Sequence, residues 1–157
     1  MALTAILSGT AVTLFFFLFM EIVAWFTHKY VMHGFLWVLH KDHHMPDHKK
    51  LERNDLFALL FALPSIIFIG VGASSGFNLL FFAGLGIAFY GLAYFWFHDI
   101  IVHQRLNVLS KYRNKYLDSI IAAHLDHHRG RGNYGFLFMV PIRYFSGRTT
   151  SINASSD

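Results

Sequence analysis

Ten of the eleven histidines fall into a doubled pattern, and only His48 stands outside it. His28 and His33 are followed by the cluster His40-Lys-Asp-His43-His44. Further on, His98 and His103 are followed by His124-Leu-Asp-His127-His128. On an α-helix, positions i, i+3 and i+4 share a face. Each H-x-x-H-H cluster then presents three imidazoles in one direction. Imidazoles crowded in this way need something to hold them, and a transition metal is the usual holder. The expected ligands are His28, His33, His40, His43, His44, His98, His103, His124, His127 and His128. Ten imidazoles are too many for one ion, so the pattern points to two metals.

The two H-x4-H pairs resist a simple helical reading. Residues five apart on an ideal helix point about 140° away from each other. Either the helix is distorted there, or the two members serve different metals. The carboxylates near the histidines also carry two readings. Asp42 and Asp126 stand just before the paired histidines, and Asp99 follows His98. Each is expected either to accept from a ligand's free ring nitrogen or to remain a solvated helix charge. Glu21 sits inside an apolar run, seven residues before His28 and on nearly the same helical face. A carboxylate at that depth marks function. It is expected beside the metal ligands or the substrate, against the alternative of pairing with a lysine or arginine at a helix end. There is no nucleophile elbow, phosphate loop or dinucleotide fingerprint.

Composition narrows the class. The 157-residue chain has room for one domain, 1–157, and is 55% hydrophobic but only 14% charged, which places it among membrane proteins. With no cysteine, disulfides, thiolate zinc sites and iron–sulfur clusters are excluded. The net charge of +4 fits a membrane surface better than nucleic acid, because the basic residues flank long apolar runs.

The histidines must be positioned by a few helices. The apolar stretches read as spans at about 3–27, 56–73 and 77–97. The first is expected to be retained rather than cleaved, since no basic residue precedes it. Asn54 and Asp55 are expected to cap the second span, and Pro64 to kink it. The second and third spans form a tight antiparallel hairpin. Tyr134 to Val140 is too short to span and reads as interfacial or re-entrant. The tail 146–157 is polar. Trp25, Tyr90, Tyr94 and Trp96 fit an interfacial belt better than a substrate channel. All thirteen lysines and arginines lie in 29–53 or 105–148. The positive-inside rule then places the histidine motifs and the C-terminus in the cytoplasm and the N-terminus outside. The expected fold is all-α: an integral membrane helical bundle with a cytoplasmic histidine-rich helical cap.

The histidine signature resembles that of membrane fatty-acid desaturases and hydroxylases. More specifically, MEIVAWFTHKYVMHG (20–34), HKDHHMP (40–46), ERNDLFAL (52–59), YGLAYFWFHDIIVHQR (90–105) and AHLDHHR (123–129) resemble the bacterial β-carotene 3-hydroxylase family. The resemblance covers roughly residues 20–140 and rests most on HDxxVHQR and NDL. It implies a mono-oxygenase that hydroxylates C3 of β-ionone rings, taking β-carotene through β-cryptoxanthin to zeaxanthin. It further implies a histidine-held non-haem di-iron centre, O2 as co-substrate, a lipophilic carotenoid substrate and a ferredoxin-type electron donor. Attack on an unactivated C–H bond needs a redox-active metal, which zinc is not. Zinc can still substitute in recombinant protein, since nitrogen sites prefer it to ferrous iron. The alternatives are another lipid hydroxylase or desaturase of the same superfamily and, from a different class, a membrane metal-binding or transport protein. Transport predicts ionisable residues at mid-bilayer in several spans, and the second and third have none.

Overall fold

A computed structural model describes residues 2–45, 51–105 and 114–146. His48, Lys111, Arg113 and most of the polar tail lie outside the described residues. The described chain is helical, without strands. Its α-helices are α1 (Ala2–Phe26), α2 (Trp37–His44), α3 (Leu56–Ser74), α4 (Leu79–Tyr94) and α5 (Lys115–His128).

Three helical stretches, Leu3–Phe35, Arg53–Ser74 and Leu79–Val102, are long and apolar enough to cross a membrane. They are apolar all round, as a lipid-facing helix must be, and leave Leu7, Leu14, Leu18, Leu63 and Ile66 on the outer surface. A helix suits that environment because it satisfies its own backbone polar groups. α4 packs against both α1 and α3, whereas α1 and α3 do not pack closely on each other. Small residues permit the close approach. A side chain at Gly86 would meet the Thr13 carbonyl and Phe16, and one at Gly84 would meet Ile69. Two hydrogen bonds cross the same seams, from Thr13 Oγ1 to the Phe82 carbonyl (3.1 Å) and from Ser65 Oγ to the Gly84 carbonyl (2.9 Å).

The hairpin between α3 and α4 turns at Gly76 and Phe77, both with positive φ, and Asn78 caps α4 by accepting from Leu80 N. Pro64 lies inside α3. Asn54 and Asp55 do not cap α3 as expected. Asp55 already has helical backbone angles and makes no side-chain cap to α3. The chain enters one turn earlier, where Glu52 and Asp55 form a capping box around a short 3-10 turn, Arg53–Asp55. That frees the Asn54 amide for a histidine.

The distortion that the H-x4-H spacing called for is present in both places. Thr27–Phe35 and Phe95–Val102 are π-helical, and the first also kinks at Gly34. A π-helix closes its hydrogen bonds between residues five apart, as from His103 N to the His98 carbonyl at 2.9 Å. Residues five apart are thereby brought onto one face. The His28 and His33 rings lie 5.0 Å apart, and those of His98 and His103 lie 4.6 Å apart.

After α5, residues 129–141 fold back into the bundle without regular structure. Phe136, Leu137 and Val140 join Met20, Ile87, Tyr90 and Ile120 in the core. Non-helical backbone at membrane depth must find partners within the protein. Glu21 supplies them. Its carboxylate accepts from the backbone N–H of Phe136 (2.7 Å), Leu137 (3.1 Å) and Met139 (3.1 Å), and from the Tyr90 hydroxyl (2.8 Å).

Candidate metal centre

The C-terminal ends of α1 and α4 and the N-terminal end of α3 share one end of the bundle, opposite the hairpin. The π segments, α2 and α5 gather there. All ten motif histidines meet in a single cluster, which resolves into two groups whose ring nitrogens could each surround an ion. One is His28, His33, His40, His44 and His127; the other is His43, His98, His103 and His124. His128 belongs to neither and lies between them. It stacks on His44 (4.3 Å between centroids), while its Nε2 lies 2.8 Å from His124 Nε2.

The H-x-x-H-H clusters therefore do not each grip one metal. His40 and His44 lie in the first group but His43 in the second; His127 lies in the first but His124 in the second. One helical turn straddles both groups, so α2 and α5 each tie the two together. By contrast, each π segment delivers its pair to a single group.

The arrangement fits metal binding in detail. Outer partners fix the tautomer of four imidazoles. His28 Nδ1 donates to the Tyr134 carbonyl (3.1 Å) and His40 Nδ1 to Asn54 Oδ1 (2.6 Å). His43 Nδ1 donates to Glu52 Oε2 (3.0 Å) and His98 Nδ1 to Asp99 Oδ2 (3.3 Å). Each bond leaves the Nε2 lone pair free to face inward. Elsewhere Nε2 atoms face one another: His33 and His127 at 3.0 Å, His40 and His44 at 3.1 Å, His103 and His124 at 2.9 Å. His43 Nε2 is buried with no hydrogen-bond partner. Such crowding of buried lone pairs is what an ion would relieve. Two imidazole groups with no thiolate suit borderline metals such as iron, zinc, copper or nickel.

Burial keeps the imidazoles neutral. Desolvation, reinforced by neighbouring imidazoles, lowers His40 to about 4 and His103 and His128 to about 3. It holds His43 and His124 well below the ordinary value of 6.5. Neutral imidazole is the metal-binding form. The unfolded chain takes up protons near pH 6.5 and the folded chain only at about 4 or below. The stability contribution is therefore complete above about pH 6.5 and is lost as pH falls towards 4 and then 3. The thermal unfolding midpoint of the metal-free protein should therefore hold above about pH 7 and fall as pH drops from 6.5 towards 4. An unchanged midpoint at pH 4 would contradict this account.

The carboxylates divide differently from the sequence expectation. Asp99 does reach a histidine. Asp42 instead accepts from Arg53 N (2.6 Å), and Asp126 accepts from the Tyr144 hydroxyl (3.0 Å) and Arg131 Nη1 (3.2 Å). Both sit two residues beyond the first histidine of their cluster, and a regular helix turns that position off the ligand face. Glu21 touches neither a histidine nor a cation among the described residues; it anchors the returning segment. Glu52 and Asn54 are the partners that the sequence reading missed. Their signal was the short polar ERND run directly before an apolar helix.

A cavity of about 570 Å³ runs from the cluster into the bundle between α1, α3 and α4. His28, His98 and His124 line its inner end, with Asn54, Asp55 and Asp99 beside them. The rest is mostly apolar, including Met20, Phe57, Phe61, Ile87 and Phe136, and among the described residues no lysine or arginine lines it. Trp25, Tyr90 and Tyr94 line this cavity, a correction to their reading as a belt. Trp96 is exposed and does not line it.

A bundle of membrane-length helices closed at one end by ten histidines suits a membrane-bound metal enzyme. A profile of the fatty acid hydroxylase family matches residues 13–145, and the chain belongs to that family. It is 42% identical over 128 residues to a β-carotene hydroxylase of Pantoea ananas, covering 78% of this chain and 73% of that one. It is 43% identical over 124 residues to a β-carotene hydroxylase of Pseudescherichia vulneris, covering 76% and 70%. A chloroplastic β-carotene hydroxylase 2 of Capsicum annuum is 40% identical over 128 residues, or 78% of this chain and 41% of the plant protein. No solved structure matches significantly.

Proposed function

We propose that the protein is a β-carotene 3-hydroxylase, which hydroxylates the β-ionone rings at C3 to give β-cryptoxanthin and then zeaxanthin. The observation that carries this reading is the cavity. It is mostly apolar, reaches the histidine cluster and, among the described residues, is lined by no cation. A fatty-acid substrate would bring a carboxylate or an acyl-carrier head group, and among the described residues the cavity lining has nothing positive to receive one. A hydrocarbon ring needs only apolar walls. The names of the relatives point to the same substrate.

Two iron ions fit the two groups of imidazoles and, when bound, would supply the O2 chemistry that hydroxylates a C–H bond. His28, His33, His40, His44 and His127 would hold one, and His43, His98, His103 and His124 the other. The chain's own residues do the remaining work. The outer partners keep the ligating nitrogens unprotonated. Tyr94, Phe136 and Ile87 enclose the ring and exclude water. Both α1 and α3 line the cavity without packing closely on each other, so a lipid-dissolved substrate would enter between them. Electrons must come from another protein, such as a ferredoxin, because the chain carries no flavin, nicotinamide or iron–sulfur motif.

Expression in cells that accumulate β-carotene tests the reading: zeaxanthin and β-cryptoxanthin should appear, and an unchanged pigment profile would sink it. Ala62→Phe should separate the cavity from the metal centre. A ring placed on the α3 wall overfills the substrate-loaded cavity at a cost of about 1–3 kcal/mol, or roughly 5- to 150-fold in product formation. Metal content should not change. If Ala62→Phe hydroxylates at the wild-type rate, the substrate does not use this cavity.

The orientation we propose has the N-terminus outside and the histidine cluster and C-terminus cytoplasmic. Confinement of every lysine and arginine to 29–53 and 105–148 supports it. A reporter fused at Asp157 should report the cytoplasm; an external signal would reverse the assignment.

A further inference from the structure

The two groups of imidazoles are backed by chemically different partners. Behind the four-histidine group stand carboxylates. Glu52 accepts from His43 and Asp99 from His98. Arg105 gathers these carboxylates, and a third, around one guanidinium. Its Nη1 donates to Asp55 Oδ1 at 2.8 Å and lies 3.0 Å from Asp99 Oδ1. Its Nη2 stands 3.0 Å from Glu52 Oε2, an ion pair without hydrogen-bond alignment. Its backbone N–H also donates to the Asp99 carbonyl. Three carboxylates around one cation leave a formal charge of −2 beside this group. Behind the five-histidine group the partners are neutral: the Tyr134 carbonyl on His28 and the Asn54 amide oxygen on His40. The other nearby acids, Asp42 and Asp126, are bonded to non-histidine groups.

We propose that the two metal positions are inequivalent, with the Arg105-centred carboxylates selectively supporting the ion held by His43, His98, His103 and His124. This inference rests on the metal-centre reading above. A carboxylate accepting from Nδ1 makes the imidazole a stronger donor at Nε2. The charge beside the group also attracts a cation directly, and half-burial limits its screening. Asn54 can orient His40 but adds no charge. The five-histidine position relies on ligand number instead. Arg105 touches no imidazole in these contacts and is a positioning residue. It holds the acids from the 3-10 turn and from the end of the third span at one spacing, and it offsets part of their mutual repulsion.

The test is titration of zinc(II) into metal-stripped protein in detergent, in competition with a chelator, without reference to hydroxylation. The wild type should bind two ions. Glu52→Gln, which keeps shape and removes charge, should weaken one ion by about 10- to 100-fold and leave the other unchanged. Arg105→Lys keeps the charge but loses the planar fork, so it should weaken that same ion to a lesser degree. Asn54→Ala should weaken a single ion as well. The double variant Glu52→Gln with Asn54→Ala identifies which ion each partner serves. If the two residues support different ions, both ions weaken; if they support the same one, an ion of wild-type affinity remains and the proposal is overturned. Parallel weakening of both ions by Glu52→Gln alone, or no weakening, overturns it too. A wild type that takes up no zinc would instead remove the metal centre, and this inference with it.

Discussion

His43→Ala and His127→Ala should each abolish zeaxanthin formation while leaving a membrane-inserted protein. The two residues come from different H-x-x-H-H clusters and from different groups: His43 from the four-histidine set and His127 from the five-histidine set. Both are almost fully buried, so neither can be replaced by solvent without cost. Loss of an outer partner typically costs a metal site 10- to 100-fold in affinity or activity, and loss of a ligand should exceed roughly 100-fold. α2 and α5 each span both groups, so a defect in either should disturb the neighbouring group as well. The spans are apolar and carry no part of this cluster along most of their length, so insertion should persist. The measurements are pigment analysis in a β-carotene background, protein level in the membrane fraction, and metal per chain. His48→Ala, outside every motif, serves as the control and should stay active. An active His127→Ala would show that the ligand set is wrong.

Glu21→Ala should have the second large effect, and on stability as much as on activity. The carboxylate accepts from three backbone N–H groups and one tyrosine hydroxyl inside the bundle. Each buried donor left without a partner costs about 1–3 kcal/mol. Four of them approach the 5–15 kcal/mol that holds a typical domain together. Glu21→Gln is not conservative here. It keeps one acceptor oxygen but turns an NH2 group towards N–H donors. The segment it releases carries Tyr134, whose carbonyl orients His28, together with Gly135 and Phe136 of the cavity wall. Thermal unfolding in detergent and protease sensitivity of residues 131–141 should both respond. If Glu21→Gln matched the wild type in stability and product, the carboxylate would not be the anchor.

Much of the architecture was legible because membrane helices announce themselves by length and hydropathy, and because ten histidines in a repeated register have few uses. The H-x4-H spacing even carried its own warning. An ideal helix could not align those pairs, and the π segments are how the chain does so. The division of each H-x-x-H-H cluster was not legible. Residues i, i+3 and i+4 share a face, but whether that face meets one ion or lies between two depends on the element opposite. For α2 that element is α5, which follows it by some seventy residues. The roles of Asp42 and Asp126 were hidden for a similar reason. Helical geometry already turned both off the ligand face, but the partners they take, Arg53 N and the Tyr144 hydroxyl, come from other elements that no local pattern names. Glu52 and Asn54 reach His43 and His40 through the turn before α3, and only tertiary folding supplies that proximity. Glu21 looked like a group for chemistry because it is a charge in a span. Its partners are three backbone N–H groups more than a hundred residues away and the Tyr90 hydroxyl, which no local pattern encodes.

The placement of His124 and His127 constrains the order in which a newly made molecule can mature. A ribosome delivers His28 to His44 first, then His98 and His103, and α5 after all of the spans. Each imidazole group takes one member from α5, so neither set is complete while that helix is still inside the exit tunnel. The stretch that fastens onto Glu21 emerges later still. Neither histidine group can therefore close before α5 has emerged. A chain truncated before α5 would be inserted in the bilayer with its earlier histidines exposed to the aqueous side and no site to close around them.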